Sequence, residues 1–516
     1  MSHPPDYGII YNWDGAPHGY SPVPQSMDAF LDKTYAPLED TQVGALFWCV
    51  GEHATRWPSD ALELVGDLHQ RRYENAASYT HAENIRRMLD RGEDPQQAVI
   101  DRGHELNLHV YASLRMNDNH FNGAQPSDLQ TLHHVELTKL RKDHPEWLLG
   151  EDTEEWFALS WNMAIPQVRE NRFQHLREVC QNYPWDGVEL DWQRHPFHFP
   201  ADYAYRLRYI FTDFMRSARQ MTDELAQERG RPFHLAARVA GSIEGCHRIG
   251  YDVETWVKEN LVDILIPAGA AATDPAIEVS AFRALCADRD IALYPGFDGG
   301  VPGPAAGPEG ETTRHNMRTK ATSMQYHSQG ATGIYAFNWH ADRDSKRELL
   351  TQVGAVQTLR RQDKLYNVTH RFRQHTGEWR GAYQHDRLRG TLPVPLYPTM
   401  RETGPHFDLD LADDLSADLP ATIILRLRLQ DWVAGDEVRC CWDGEVLADP
   451  DISYCHGGDP QPISDVSAAA WHSFALTADQ AARGRHRLEV VLLQRHPQLA
   501  CDLILTDVEV VILYKD

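Results

Sequence analysis

The stretch Asp186-Gly187-Val188-Glu189-Leu190-Asp191-Trp192-Gln193-Arg194-His195-Pro196 sets two carboxylates two residues apart at the end of an apolar run. Side chains alternate along a strand, so Glu189 and Asp191 share one face. A pair of carboxyls suits reactions in which one gives a proton while the other attacks or activates water; splitting a glycosidic bond needs such a pair. A helical pattern closing at Tyr183 and the turn Trp185-Asp186-Gly187 place the two acids on a strand entered from a helix. In parallel α/β proteins the C-terminal strand ends are where active sites sit. The competing expectation is a buried acid that only holds a loop, because structural ion pairs also perturb carboxyls.

Eight apolar runs could carry such ends: Tyr7 to Asn12, Val43 to Val50, Leu108 to Leu114, Gly187 to Asp191, Phe233 to Val239, Val262 to Pro267, Ile291 to Gly296 and Gly333 to Asn338. Helical spacing fills the intervals at Ala82 to Arg91, Pro95 to Leu106, Asp202 to Arg229, Val279 to Asp288, Thr313 to Gln329 and Asp344 to Arg361. Eight strands alternating with helices are the count of a (β/α)8 barrel, a TIM barrel, predicted over residues 1–362. Past Arg361 the texture changes. Pro393, Pro395, Pro398, Pro405 and Pro420 punctuate short alternating runs at Ala421 to Leu429, Glu437 to Trp442, His472 to Leu476, His486 to Leu493 and Leu503 to Tyr514. They predict a β-sandwich over residues 363–516, either a carbohydrate-binding module or a buttress.

Polar and aromatic clusters fall at the predicted strand ends: Asn12-Trp13-Asp14, Trp48 with Glu52-His53, Arg115 with Asn117-Asp118-Asn119-His120, Glu189-Asp191-Trp192, Arg238 with Glu244, Asp298, and Asn338-Trp339-His340 with Asp342. Converging on one mouth, Trp13, Trp48, Trp192 and Trp339 would offer flat faces to sugar rings. Asp14, Arg115, Asn117, Asp118, Arg238, Asn338 and His340 would bond hydroxyls. Glu189, one pleat deeper than Asp191, would tune it, bind a hydroxyl, or simply pair with Arg238 inside the barrel.

The motifs resemble glycosyl-hydrolase-like family ten, a group of (β/α)8 barrels. That family's strand Asp-Gly-Ile-His-Phe-Asp followed by x-x-Arg-x-Pro is matched by Asp186, Gly187, Asp191, Arg194 and Pro196. His144-Pro145-Glu146-Trp147-Leu148, Pro166-Gln167-Val168-Arg169, and Trp256-Val257 with Asp263 and Pro267 follow its other segments in order, over roughly residues 100 to 340. The resemblance implies a glycoside hydrolase of poly- or oligosaccharides, with Asp191 as nucleophile or stabilising carboxylate. Analogy with amylase-related barrels, which use strands four, five and seven, implies Glu244 as proton donor with Asp298 competing. Asp186-Gly187-x-Glu189-x-Asp191-x-Gln193 also resembles the chitinase family-eighteen motif, whose last acid is here Gln193. On that alternative the chain is an inactive sugar binder, since a carboxamide cannot protonate a leaving group.

Composition narrows the partners. The net charge of −25 argues against nucleic acid and anionic membranes; the carbohydrate partner is what the paired acids, the aromatics and the resemblance imply. No apolar run reaches the ~20 residues of a bilayer span, and the first residues lack the pattern of a secretory signal, so a cytoplasmic location is expected. The eight cysteines include no C-x-x-C pair. His195-x-x-His198 sits in a proline-flanked loop rather than on a helix, so no metal is expected; a metal-dependent hydrolase or deacetylase is the third alternative. No phosphate-cradling glycine loop or serine elbow occurs, and no cofactor is expected.

Overall fold

The computed structural model describes residues 3–13, 25–51, 53–117, 119–121, 123–150, 157–268, 274–298, 309–341, 344–369, 392–455 and 469–514. Parallel strands β1 (Ile9–Trp13), β2 (Val43–Gly51), β3 (His109–Arg115), β4 (Gly187–Asp191), β5 (His234–Ala240) and β6 (Ile264–Ala268) pair in chain order. β6 continues onto β7 (Ala292–Leu293) and β8 (Gly296–Asp298), β8 onto β9 (Ile334–Phe337), and β9 back onto β1, closing the barrel. β7 and β8 together make the seventh of the eight barrel strands. The run expected as one strand is interrupted at Tyr294-Pro295, where proline brings no N–H to the ladder.

Helices at Ala76–Asp90, Pro95–Glu105, Pro166–Asn182, Ala204–Arg229, Val279–Leu285 and Glu311–Ser328 surround the strands. The run expected from Asp344 to Arg361 is two short helices, Asp344–Leu350 and Val356–Leu359. Gly354 lies between them, its Cα pressed so close to Ile9 and Gln42 that an added Cβ would come within 2.9 Å of both.

The barrel interior is filled from its N-terminal end by Tyr7, Tyr111, Tyr294 and His234, linked through Tyr7 Oη to Tyr111 Oη at 2.7 Å and Tyr111 Oη to His234 Nδ1 at 2.9 Å. Gly187 is a steric requirement of this layer. A Cβ there would stand 2.3 Å from the Tyr111 ring and 2.4 Å from the His234 carbonyl oxygen. Register then decides what lies above: Ser113 pairs with Glu189, and one pleat on, Arg115, Asp191 and Arg238 stand side by side across β3, β4 and β5.

The C-terminal region is a two-sheet antiparallel sandwich. One sheet runs β10 (Lys364–Asn367), β19 (Leu503–Leu513), β13 (Thr422–Gln430), β17 (Ala469–Ala475), β16 (Asp451–Cys455), with β11 (Val394–Leu396) also on β19. The other runs β12 (His406–Leu411), β18 (Gly484–Gln494), β14 (Glu437–Trp442), β15 (Glu445–Val446). The outer face of the first sheet lies on the barrel helix Glu311–Ser328, through Met317 packed on Leu365 and Val511. Around that patch Arg314 reaches both oxygens of Glu509 at 3.1 and 2.6 Å, and Arg426 reaches Glu309 at 2.7 Å.

Candidate active site

Strand alternation sends Asn12, Ser113, Glu189, Tyr335 and Phe337 to the inside of the barrel, and Asp191 with Arg238 to its C-terminal rim. Glu189 accepts from Asn12 Nδ2 at 3.1 Å, from the Ser113 hydroxyl, and from the Tyr335 hydroxyl at 2.6 Å. All of those donors are neutral and the residue is wholly buried. Burial first, and the neighbouring Asp191 charge second, push the Glu189 carboxyl up to about 7 against the pull of these hydrogen bonds and of Arg238.

Asp191 is surrounded by donors only. Its Oδ1 accepts the backbone N–H of Gln193 and of Arg194, both at 3.0 Å, and Nη1 of Arg238 bridges both carboxylate oxygens at 3.1 Å. The Arg238 guanidinium in turn lies 4.0 Å over the Phe337 ring, and those of Arg115 and Arg194 lie 5.5 Å from it. A cation on an aromatic face keeps its charge while shedding water. Asp191 and Arg238 are both buried. Six of the connections that follow barrel strands include residues outside the described ones: 14–24 after β1, 52 after β2, 118, 122 and 151–156 after β3, 269–273 after β6, 299–308 after β8 and 342–343 after β9.

Of the residues expected here, Asp191, Glu189, Arg238 and Arg115 come together. Asn117 stands next to them as scaffolding: its carboxamide holds the backbone of Trp161 and Phe197 at 2.7 to 3.1 Å. The four tryptophans are placed differently from the expectation. Because Asn12 and Phe47 face inward, Trp13 and Trp48 face the helices and are buried in the outer core. Trp192 packs at 4.6 Å on Phe211 and at 5.6 Å on Phe214, while Trp339 lies at 6.0 Å from Phe297 with Lys346 Nζ 4.2 Å over its ring. Tryptophan at a strand end is spent on apolar burial whenever its parity points outward.

Glu244 opens the short helix Ile243–Arg248, is exposed, and pairs with Arg248 one turn on. Asp298 ends β8 in register with Phe337, and its side chain lies outside the described residues, as do Asp14 and Asp118. Asn338 and His340 both take left-handed backbone at φ 46° and 55° in the turn after β9 and are half-buried. His195 Nδ1 accepts from the Asn119 N–H at 2.7 Å, and His198 donates to the Trp192 carbonyl at 3.0 Å, with burial holding its ring down at about 4. Among the described residues no three of His, Cys, Asp or Glu converge to hold a metal ion, and no helix is long and apolar enough to cross a membrane. The residues sequence reasoning passed over are Ser113, Tyr335 and Phe337. Ser113 lies in register with Glu189 on the neighbouring strand β3, whereas Tyr335 and Phe337, on β9, share the parity of Asn12 and reach Glu189 and Arg238 across the barrel.

Residues 35–209 match the model of the family described as glycosyl hydrolase-like 10. The family resembled by the Asp186 to Pro196 motif is therefore found over a span that contains that motif, and the closed eight-stranded barrel agrees with it. No curated protein matches the chain. Solved structures with a similar course include a cycloisomaltooligosaccharide glucanotransferase from Paenibacillus sp. (12% identity, 98% of this chain and 57% of that one, TM-score 0.32). They also include an α-L-fucosidase from Paenibacillus thiaminolyticus (14%, 67% and 48%, TM-score 0.40) and an α-amylase from Anoxybacillus (12%, 95% and 99%, TM-score 0.35). The chain thus spans about half the length of the first two, and at these scores the likenesses carry no argument about chemistry.

Proposed function

We propose that this glycosyl hydrolase-like barrel is a glycoside hydrolase acting on a poly- or oligosaccharide, with Asp191 as the reacting carboxylate. The observation that carries this is the division of labour between two acids on one strand face: Asp191 touches only donors, while Glu189 is held near 7 by burial and by Asp191 itself. Burial that raises one carboxyl of a pair is how a site keeps a proton holder at neutral pH. Arg238, backed by Phe337, holds both Asp191 oxygens in place beside the anomeric carbon. Glu189 acts from beneath as a positioning group through its proton.

The leaving group needs an acid on the facing side of the mouth. Glu244 is engaged with Arg248 on the surface, so the residue at 298, which ends β8 in register with Phe337, is the better candidate for that acid. The reaction needs water and two carboxyls and no cofactor. The test is product analysis on a panel of polysaccharides with wild type, Asp191→Asn, Glu244→Gln and Asp298→Asn. Sugar release lost with Asp191→Asn and Asp298→Asn but kept with Glu244→Gln supports the proposal; release undiminished by Asp191→Asn sinks it.

One observation favours a second reading, a barrel that binds sugars without cleaving them: both Asp191 oxygens are already occupied. Wild type that retains a glycan while releasing no product from it is the result this alternative requires.

A further inference from the structure

One buried side chain at the barrel mouth is used by neither the strand ladder nor the ion pair. Gln193 follows Asp191 by two residues, gives its backbone N–H to that carboxylate at 3.0 Å, and has no solvent exposure. Among the described residues, neither the oxygen nor the nitrogen of its carboxamide has a hydrogen-bonding partner. Asn117 nearby shows what a structural carboxamide looks like, with both ends spent on backbone groups of two loops. A carboxamide carries one acceptor and two donors, and leaving all of them unpaired in the interior opposes folding. Native structures keep such a group where water, an ion or a ligand completes it.

Among the described residues, two more carboxamide oxygens are left over, at the ends of the paired strands β1 and β9. Asn12, on β1, commits its nitrogen to Ser113 and Glu189 and leaves Oδ1 unpartnered. Asn338, directly after β9, leaves Oδ1 unpartnered as well. β1 and β9 are paired, with Asn12 in register with Phe337. All three carboxamides are uncharged, and Asp191 beside Gln193 is already matched by Arg238. What such groups complete is a neutral partner that both donates and accepts, which is the chemistry of ring hydroxyls.

We propose that Gln193 is a specificity-determining residue, its carboxamide taking a donor and an acceptor contact to neighbouring hydroxyls of the sugar ring placed at Asp191. This rests on the reading of the barrel as carbohydrate-active. Because the amide cannot transfer a proton at neutral pH, its contribution is to recognition.

The experiment uses the full chain and Gln193→Met, which keeps length and loses both polar ends. Thermal melting without sugar is measured first, followed by affinity for maltohexaose, cellohexaose and chitohexaose and for a glycan array. The expected result is a higher melting temperature together with about tenfold weaker binding of whichever glycan wild type takes, the loss of one neutral hydrogen-bonded contact. A lower melting temperature would mean that the carboxamide serves internal water. Unchanged affinity would remove it from recognition. Either overturns the proposal while the carbohydrate reading stands. If wild type takes no glycan at all, that reading fails and this proposal falls with it.

Discussion

Two clusters of buried charge in this molecule are built in opposite ways. At the junction of barrel and sandwich, Glu509 is met by the fork of Arg314 and by Arg426, and Glu309 closes the ring on both arginines. At the barrel mouth Glu189 meets only neutral donors, and its charge is left to compete with that of Asp191. Burial is the same in both: Glu509, Arg314, Glu189 and Asp191 have no exposure. Asp191 is met by Arg238 as Glu509 is met by Arg314, so what separates the two clusters is that at the mouth one of the two acids, Glu189, accepts from neutral donors alone. A carboxylate answered by a guanidinium fork is fixed, whereas one answered by hydroxyls keeps a proton within reach.

The comparison breaks most directly at Asp191. Asp191→Asn keeps the shape and most of the hydrogen bonds, so it should cost about 10³-fold in sugar release, the scale of a lost acid–base or nucleophilic group. Circular dichroism should show the fold retained, with a lower melting temperature because Arg238 loses its buried carboxylate. At the junction the effect falls on stability alone. Glu509→Gln leaves two guanidiniums with only Glu309 between them and should cost about 3–5 kcal/mol, as for other broken buried pairs, read from the urea midpoint. A cost below about 1 kcal/mol would make the two clusters alike and remove the distinction.

Gly187→Ala tests the layer on which the mouth stands. The added methyl meets the His234 carbonyl, which cannot swing away as a side chain can, and about 1–3 kcal/mol of destabilisation is expected from overpacking. The gentlest test is titration. Between the ordinary carboxyl value of 4.5 and about 7 the folded protein holds a proton on Glu189 that the unfolded chain has released. Stability should therefore fall as pH rises through that window, by up to about 1.4 kcal/mol per pH unit, and Glu189→Gln should remove that part of the slope. Denaturation of both proteins at pH 5, 6 and 7 measures it; identical slopes would mean that Glu189 is not held up.

Much of the barrel was legible because its signals are local. The eight runs correspond to the eight barrel strands, and the helix expected from Asp202 to Arg229 appears as Ala204–Arg229. Glu189 and Asp191 on one face followed from alternation alone. The tryptophans show where that legibility stops. Their positions at strand ends were plain, but whether a strand-end residue faces the mouth or the helices depends on parity, and Trp13, Trp48, Trp192 and Trp339 all went to the core. In the sandwich, β10, β11, β12, β15 and β16 were passed over; β15 has only two residues and Pro395 interrupts β11.

By itself the sequence determined the alternation of strands and helices, the pair of acids at the end of β4 and the motifs of a glycosyl hydrolase-like family, because each is written within a dozen neighbouring residues. Only the tertiary structure decided that Arg238 and two backbone amides hold Asp191, that Ser113 and Tyr335 hold Glu189, and that the Gln193 side chain is left without a partner among the described residues. Those contacts depend on the register between strands far apart in the chain. That register is set by how the barrel closes and how its interior layers pack, which no single segment encodes.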